Sequence, residues 1–363
     1  MDNRFNSAKD IYDDLRKSIR YAVSENIVSN AALKRKAELV YEINRRATEL
    51  DAVILKHNYM EPVLFRAVNG FSGDSLELSR RAAQTDSDTI VFCGVHFMAQ
   101  TAKILNPTKK VLIPSNNAGC SLADDITAQD VFALKEKFPR LPVVTYINST
   151  AEVKSMSDIC CTSGNVAKVI DWALEKFKTK SLIFVPDKYL AGNIARERNM
   201  EVCVFTKGVG LDKEINYESN PAIITWNARC YVHEQYDTGD VEAIRKHYPG
   251  AIIMAHPECR PEVVALADFS GSTSKMVEYV RENGKNKMIS LLTECSMADN
   301  LCAVFPECSK NLVQMRNLYC KHMYTITLDK LLDSLMANIY EVEVCEIVRK
   351  KAEVAVRRML EIN

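Results

Sequence analysis

The chain has 363 residues, 47% of them apolar, and equal numbers of basic and acidic side chains, 47 of each. That length suits two or three compact units with sizeable cores, and the balanced charge points to neither nucleic acid nor an anionic membrane, which leaves a small-molecule ligand. No stretch reaches 18 uninterrupted apolar residues and the N-terminus is charged, so we expect a cytoplasmic protein without signal peptide or membrane span.

In chain order, the first element is a helix over "AKDIYDDLRKSIRYAVSENI", residues 8–27, by its apolar spacing. With the rest of 1–35 it forms an extension that packs on the first domain or mediates self-association. The chain then repeats itself three times. "AVILKHNY" at 52–59, "VVTYINST" at 143–150 and "AIIMAHPEC" at 251–259 are apolar runs that end in polar clusters. Each leads through a helical stretch to a Ser/Thr-rich turn opening another helix: "GDSLELSRRA", "CTSGNVAKVI" and "GSTSKMVEYV". Third strands come next in "TIVFCGVHFM", "SLIFVPDKYL" and "MISLLTECSM", and fourth ones that end in cysteine in "VLIPSNNAGC", "AIITWNARC" and "LVQMRNLYC".

Spacing supports the repeat. From His57, Asn148 and His256 to Ser75, Ser163 and Ser272 the steps are 18, 15 and 16, and from there to His96, Asp187 and Glu294 they are 21, 24 and 22. The last steps, to Cys120, Cys230 and Cys320, are 24, 43 and 26, so the middle repeat carries an insertion of about 17 residues within 191–219. Long loops in compact domains are functional or mobile, so we expect part of 203–219 near the mouth of the site or poorly ordered.

Strands alternating with helices imply parallel sheets with right-handed crossovers, which bind ligands beyond the carboxyl ends of their strands. The polar clusters and the three repeat-final cysteines all fall at those ends. Three units about a pseudo-threefold axis would bring Cys120, Cys230 and Cys320 to one point. Twelve cysteines without a secretion signal belong to a reducing compartment, and no Cys-x-x-Cys occurs, so a metal site must draw its ligands from distant segments. The local group Cys295, Cys302 and Cys308 is spaced poorly for one helix face, and we expect packing there, as for Cys93 beside His96. Three thiolates suit zinc with a further ligand or a [4Fe-4S] cluster with one iron left without a protein ligand.

"KHNYMEP", "GDSLELSRRA", "FCGVHFMAQTAKILNPTKKVLIPSNNAGCSLAD", "TYINSTAEVKSMSDICCTSGNV", "HPECRPEVVALADFSGST" and "CKHMYTITLDKLLDSL" together resemble the quinolinate synthase family over roughly residues 36 to 345. The resemblance implies an α/β fold of three αβα units about a pseudo-threefold axis, with the active site at their junction. The units would be 36–124, 125–234 with its insertion, and 235–320, with C-terminal helices of 321–363 packed on the first. It implies a transferase of NAD biosynthesis that condenses iminoaspartate with dihydroxyacetone phosphate to quinolinate, with loss of phosphate and two waters. One [4Fe-4S] cluster per chain would sit on Cys120, Cys230 and Cys320. A functional coupling to L-aspartate oxidase and a homodimer are compatible with it.

The family's site residues fall on His57, Tyr59, Ser75, Tyr146, Asn148, Ser163, His233, His256, Glu258, Ser272 and Thr273. Ser75, Ser163, Ser272 and Thr273 lie where a turn enters a helix, so they either grip a carboxylate or phosphate or merely cap the helix. Glu258 and Tyr59 suit proton transfer, and the histidines suit hydrogen bonds to an anion. "NARC" departs from the family's Gly-His before the second cysteine, and Cys295 stands where a small or apolar residue is expected. Two other readings stay open: another three-cysteine iron-sulfur enzyme, of the isoprenoid diphosphate reductase or diphthamide-synthesis type, and a non-enzymatic iron-sulfur sensor.

Overall fold

The computed structural model describes residues 5–19 and 28–362. Of the expected N-terminal helix, Ala8–Ser18 is helical, with Ser7 capping its first turn, and residues 20–27 lie outside the described residues. It packs against the helix Asn30–Glu49, and Arg66, from the first repeat, bonds Asp14 on one side and the Ala303 carbonyl on the other.

Beyond these helices the chain forms three sheets. The first contains β1 (Ala52–His57), β2 (Phe71–Gly73), β3 (Thr89–Cys93) and β4 (Lys110–Leu112) in the order β2-β1-β3-β4. The second contains β5 (Val143–Tyr146), β6 (Ile159–Cys161), β7 (Ser181–Val185), β8 (Glu201–Thr206), β9 (Gly210–Leu211) and β10 (Ala222–Trp226), ordered β6-β5-β7-β10-β8-β9. The third contains β11 (Ile252–Ala255), β12 (Phe269–Ser270), β13 (Ile289–Leu292) and β14 (Leu312–Val313), ordered β12-β11-β13-β14. Without β8 and β9, the order is the same three times. The ladders are parallel except β8 with β9, and β1, β3, β5, β7 and β10 are buried along their whole lengths. Continuous apolar strands covered on both faces are what parallel sheets require.

The short edge strands β2, β6 and β12 are read from sequence only as turns. Their two or three residues carry too little periodicity to register, and tertiary pairing defines them, as Leu55 with Phe71 and Met254 with Phe269. Gly70 shows how tight the first such return is: at φ +136, an added Cβ would lie 2.1 Å from the Ile54 carbonyl oxygen, so only glycine fits.

The insertion is a hairpin, not the loop expected from sequence. β8 pairs with β10 and turns through Gly208, at φ +76, into β9. Phe205 stacks on Trp226 at 5.7 Å, and the Ser181 hydroxyl donates to the Tyr217 and Asn220 carbonyls. It extends the outer edge of the second sheet.

The C-terminal chain returns across the molecule. Helix Leu328–Ala337 lies on Asn30–Glu49, and residues 340–342 bond the edge of β4 through Ile113 N–H to the Tyr340 carbonyl and Val342 N–H to the Val111 carbonyl. The last helix, Glu346–Glu361, goes on to the second sheet, where it packs on β6 and the helix Ala151–Ser155. Asn165 there donates to the Met359 carbonyl at 3.2 Å. Among the described residues no helix is long and apolar enough to cross a membrane.

Candidate active site

The strand ends converge on a cavity of about 80 Å³. Its wall includes His57 at the end of β1 and Tyr59 after it, Tyr146 and Asn148 from β5 and its end, His256 and Glu258 after β11, and Ser75, Ser163 and Thr273 from the next turns. Cys120, Cys230, His233 and Cys320 complete it. Ser272 stands one residue back, as the cap of helix Thr273–Asn283, and packs opposite Gly164 of the second repeat. The structure therefore brings the sequence-derived residues to one place. Cys295, Cys302 and Cys308 are elsewhere: Cys308 points its thiol at the Val280 carbonyl, and Cys93 is buried in β3.

The three wall cysteines share one local design. Each opens a helical turn whose backbone N–H groups reach its sulfur: Leu122 and Ala123 for Cys120, His233 for Cys230, and His322 and Met323 for Cys320. Such turns favour a thiolate. Burial opposes it, pushing Cys120 up to about 12 and Cys230 well above the usual thiol range, and raising Cys320. The thiols also disfavour one another's ionisation, since Cys230 feels both Cys320 and Cys120. Replacing three buried protons by metal cations relieves both costs, so the donor set fits a thiolate-bound metal centre. A single ion does not fit it, because among the described residues only Cys230, His233 and Glu258 bring three ligand atoms within 4.8 Å of one another.

Tyr59, His233, Glu258 and Tyr146 are joined through Thr293 in one hydrogen-bonded chain. Tyr59 OH lies 2.7 Å from Thr293 Oγ1, which lies 3.0 Å from His233 Nε2. His233 Nδ1 is 2.8 Å from Glu258 Oε2. Tyr146 OH donates to Glu258 Oε1 at 2.6 Å, and Asn148 Nδ2 donates to the same oxygen at 3.3 Å. Burial alone would raise the Glu258 carboxyl, but the hydrogen bond and charge of His233, with His256 and Tyr146, outweigh it and hold it below the usual range. Burial drives the Tyr59 and Tyr146 phenols the other way, well above theirs. A carboxylate acceptor and a phenol that keeps its proton thus sit at two ends of one chain.

His57 and His256 are held alike. Tyr59 N–H donates to His57 Nδ1 at 3.2 Å and Glu258 N–H to His256 Nδ1 at 3.3 Å, which in the neutral ring leaves the proton on Nε2. Burial keeps both neutral, with His57 brought down to about 4 and His256, helped by His233, to about 3. Of the four hydroxyl residues at the helix entries, only Ser272 is a cap, accepting from Lys275 N–H at 3.4 Å. Asp74, not Ser75, caps Ser75–Gln84, and the third helix starts at Val166, beyond Ser163. Thr273 Oγ1 accepts from Asn58 at 2.9 Å.

Sequence reasoning passed over Thr293 and Asp74 and used Glu294 only as a spacing mark. Burial raises Glu294 to about 8 even though it accepts N–H groups of Cys320 and Ser296, so it ties the Cys320 turn to the end of β13. The signal for Thr293 was its place at that strand end, beside Glu294.

Fold and site together define an α/β enzyme of three repeated units that works where their strand ends meet. Comparison with known proteins gives the family. The model of the Quinolinate synthetase A protein (NadA) matches residues 41–361. A quinolinate synthase of Caulobacter vibrioides is 43% identical over 326 residues, 90% of this chain and 82% of its own. Quinolinate synthase 2 of Mesorhizobium japonicum is 46% identical over 312 residues, 86% of this chain and 87% of its own, and that of Xylella fastidiosa is 43% identical over 325, covering 90% and 86%. The chain belongs to the quinolinate synthase family.

Proposed function

We propose that the chain condenses iminoaspartate with dihydroxyacetone phosphate, releasing phosphate and two waters, to form quinolinate for NAD synthesis. The observation that carries this is the hydrogen-bonded chain from Tyr59 to Glu258 in the cavity that also presents Cys120, Cys230 and Cys320. These cysteines would hold one [4Fe-4S] cluster, and bound there it supplies an iron without a protein ligand, a Lewis acid for a substrate oxygen.

The chain's own groups do the rest. Glu258, kept ionised by His233, takes a proton from substrate carbon, and Tyr146 and Asn148 fix the carboxylate's aim. Tyr59 gives a proton to a departing hydroxyl. Thr293 and His233 lie between the two groups, so the proton gained at one end is returned at the other without entering bulk water. Neutral His57 and His256, with Asn148, hydrogen-bond anionic substrate, and Ser75, Ser163 and Thr273 grip its carboxylates or phosphate near the helix entries, while Ser272 caps the helix that Thr273 opens. The units 36–124, 125–234 and 235–320 each contribute one cysteine and one polar strand end. Free thiols and an oxygen-sensitive centre suit a reducing cytoplasm, and iminoaspartate, a labile imine, suits direct supply by L-aspartate oxidase.

The test is direct. Anaerobically reconstituted protein, given dihydroxyacetone phosphate and iminoaspartate generated in situ, should form quinolinate. Intact cluster with no quinolinate would refute the reaction.

A further inference from the structure

We infer that the chain without its iron-sulfur cluster carries a second kind of metal site, a mononuclear one for a borderline divalent cation of the Zn²⁺ class, made by Cys230, His233 and Glu258. Among the described residues theirs is the one set of His, Cys and acidic ligand atoms that all lie within 4.8 Å of one another. His233 Nδ1 stands at the centre, 3.2 Å from Cys230 Sγ and 2.8 Å from Glu258 Oε2. One ring nitrogen thus faces both a sulfur and a carboxylate oxygen, and a cation between them takes a lone pair from all three. A tetrahedral zinc needs ligand atoms about 3.3–3.6 Å apart, so the ring must withdraw by a few tenths of an ångström from atoms that already lie within 4.8 Å of each other.

The surroundings are those of a metal site. His233 Nε2 is fixed by Thr293 Oγ1 at 3.0 Å, and Glu258 Oε1 by Tyr146 OH at 2.6 Å. Partners on the far side of the ligands set ring orientation and ligand basicity. The set of one sulfur, one imidazole and one carboxylate suits a borderline ion, and all three residues line the cavity, which leaves room for a water as fourth ligand. The cluster proposed above uses Cys230 with Cys120 and Cys320, so on that reading the two occupants exclude one another. An ion captured first blocks cluster assembly and removes Glu258 and His233 from proton transfer.

The experiment uses the full chain, reduced and freed of iron by chelation under nitrogen, titrated with Co²⁺ and then with Zn²⁺ against a chromophoric chelator. One ion per chain is expected, with a thiolate-to-cobalt charge-transfer band that disappears in Cys230→Ser. His233→Gln and Glu258→Gln should keep the band but weaken affinity at least about tenfold, whereas Cys120→Ser and Cys320→Ser should bind like the parent. Circular dichroism and thermal unfolding identify the folded variants, and Glu258→Gln, which keeps the shape of the side chain, decides the matter if His233→Gln does not fold. No stoichiometric binding, or loss in Cys120→Ser and Cys320→Ser with Glu258→Gln unaffected, overturns the site. Iron uptake is measured separately. Zinc-loaded protein should take up less than about a tenth of the parent's iron, and uptake at the parent's level would overturn the competition. Full iron uptake by Cys120→Ser or Cys320→Ser would instead sink the cluster reading and leave the single-ion site standing.

Discussion

Thr293 shows how much one hydroxyl can carry. It bonds Tyr59 and His233 at once and is buried, so Thr293→Val keeps the volume and cuts the chain. Turnover per intact cluster should fall about 10-fold or more, on the scale of proton-transfer catalysis, and Thr293→Ser should recover most of it. Equal loss in both would mean that the methyl group, not the hydroxyl, matters. Glu258→Gln and Tyr59→Phe should each cost roughly 100-fold in turnover with cluster content unchanged, and near-parental turnover in both would refute their roles. Ser163→Ala should raise KM more than it lowers kcat, because it removes a ground-state contact to an anion. His57 adds a pH dependence. Its folded value, about 4, lies below the ordinary 6.5, so the unfolded chain binds more protons between those values and stability falls as pH drops through that window. The contribution is about 3 kcal/mol, and urea unfolding of the cluster-free protein between pH 7 and 4 should show a shallower slope in His57→Gln. An unchanged slope would mean that His57 is not buried neutral.

Among the secondary-structure elements, what the sequence shows and what it hides divide by length and pairing. The long apolar strands β1, β3, β7 and β10 and the cysteine-ended turns are legible because burial on both faces leaves continuous apolar runs. The edge strands β2, β6 and β12 are hidden because their pairing is tertiary. The insertion's position is legible from spacing, but its form is not: β8 is only partly buried and reads as ambiguous until Phe205 meets Trp226. None of its residues lines the cavity, so the expectation of a loop at the mouth gives way to a sheet extension. Shortening its tip at 207–210, where Val209 is 82% exposed, should leave kcat and KM within about twofold, whereas Phe205→Ala should lower the thermal midpoint through lost packing on Trp226. A change in KM from the tip deletion would restore a role in substrate access. Which helix entries are capped by serine was also not readable, because Asp74 takes the cap one residue before Ser75 and frees that serine from the task.

Across the molecule, the threefold repeat of strand order is the reason that residues hundreds of positions apart share a wall. Periodic spacing made the three cysteines, His57, Asn148, His256 and the serines at the helix entries legible, since each repeat places the same strand end at the same junction, whereas Tyr59, Tyr146, His233, Glu258 and Thr273 were legible only through the family resemblance. Thr293 and the Cys230, His233 and Glu258 cluster were not legible, because they depend on side-chain directions at that junction. The repeat matters for function because one cysteine from each unit would hold one shared centre. Iron and labile sulfide per chain, assayed after anaerobic reconstitution in single serine variants of Cys120, Cys230, Cys320, Cys295 and Cys302, decide whether it does. About four irons are expected in the parent, with loss of most of them in the first three variants and parental content in the last two. Parental iron in Cys120→Ser, Cys230→Ser or Cys320→Ser, with loss in Cys295→Ser or Cys302→Ser, would show that the shared centre does not exist.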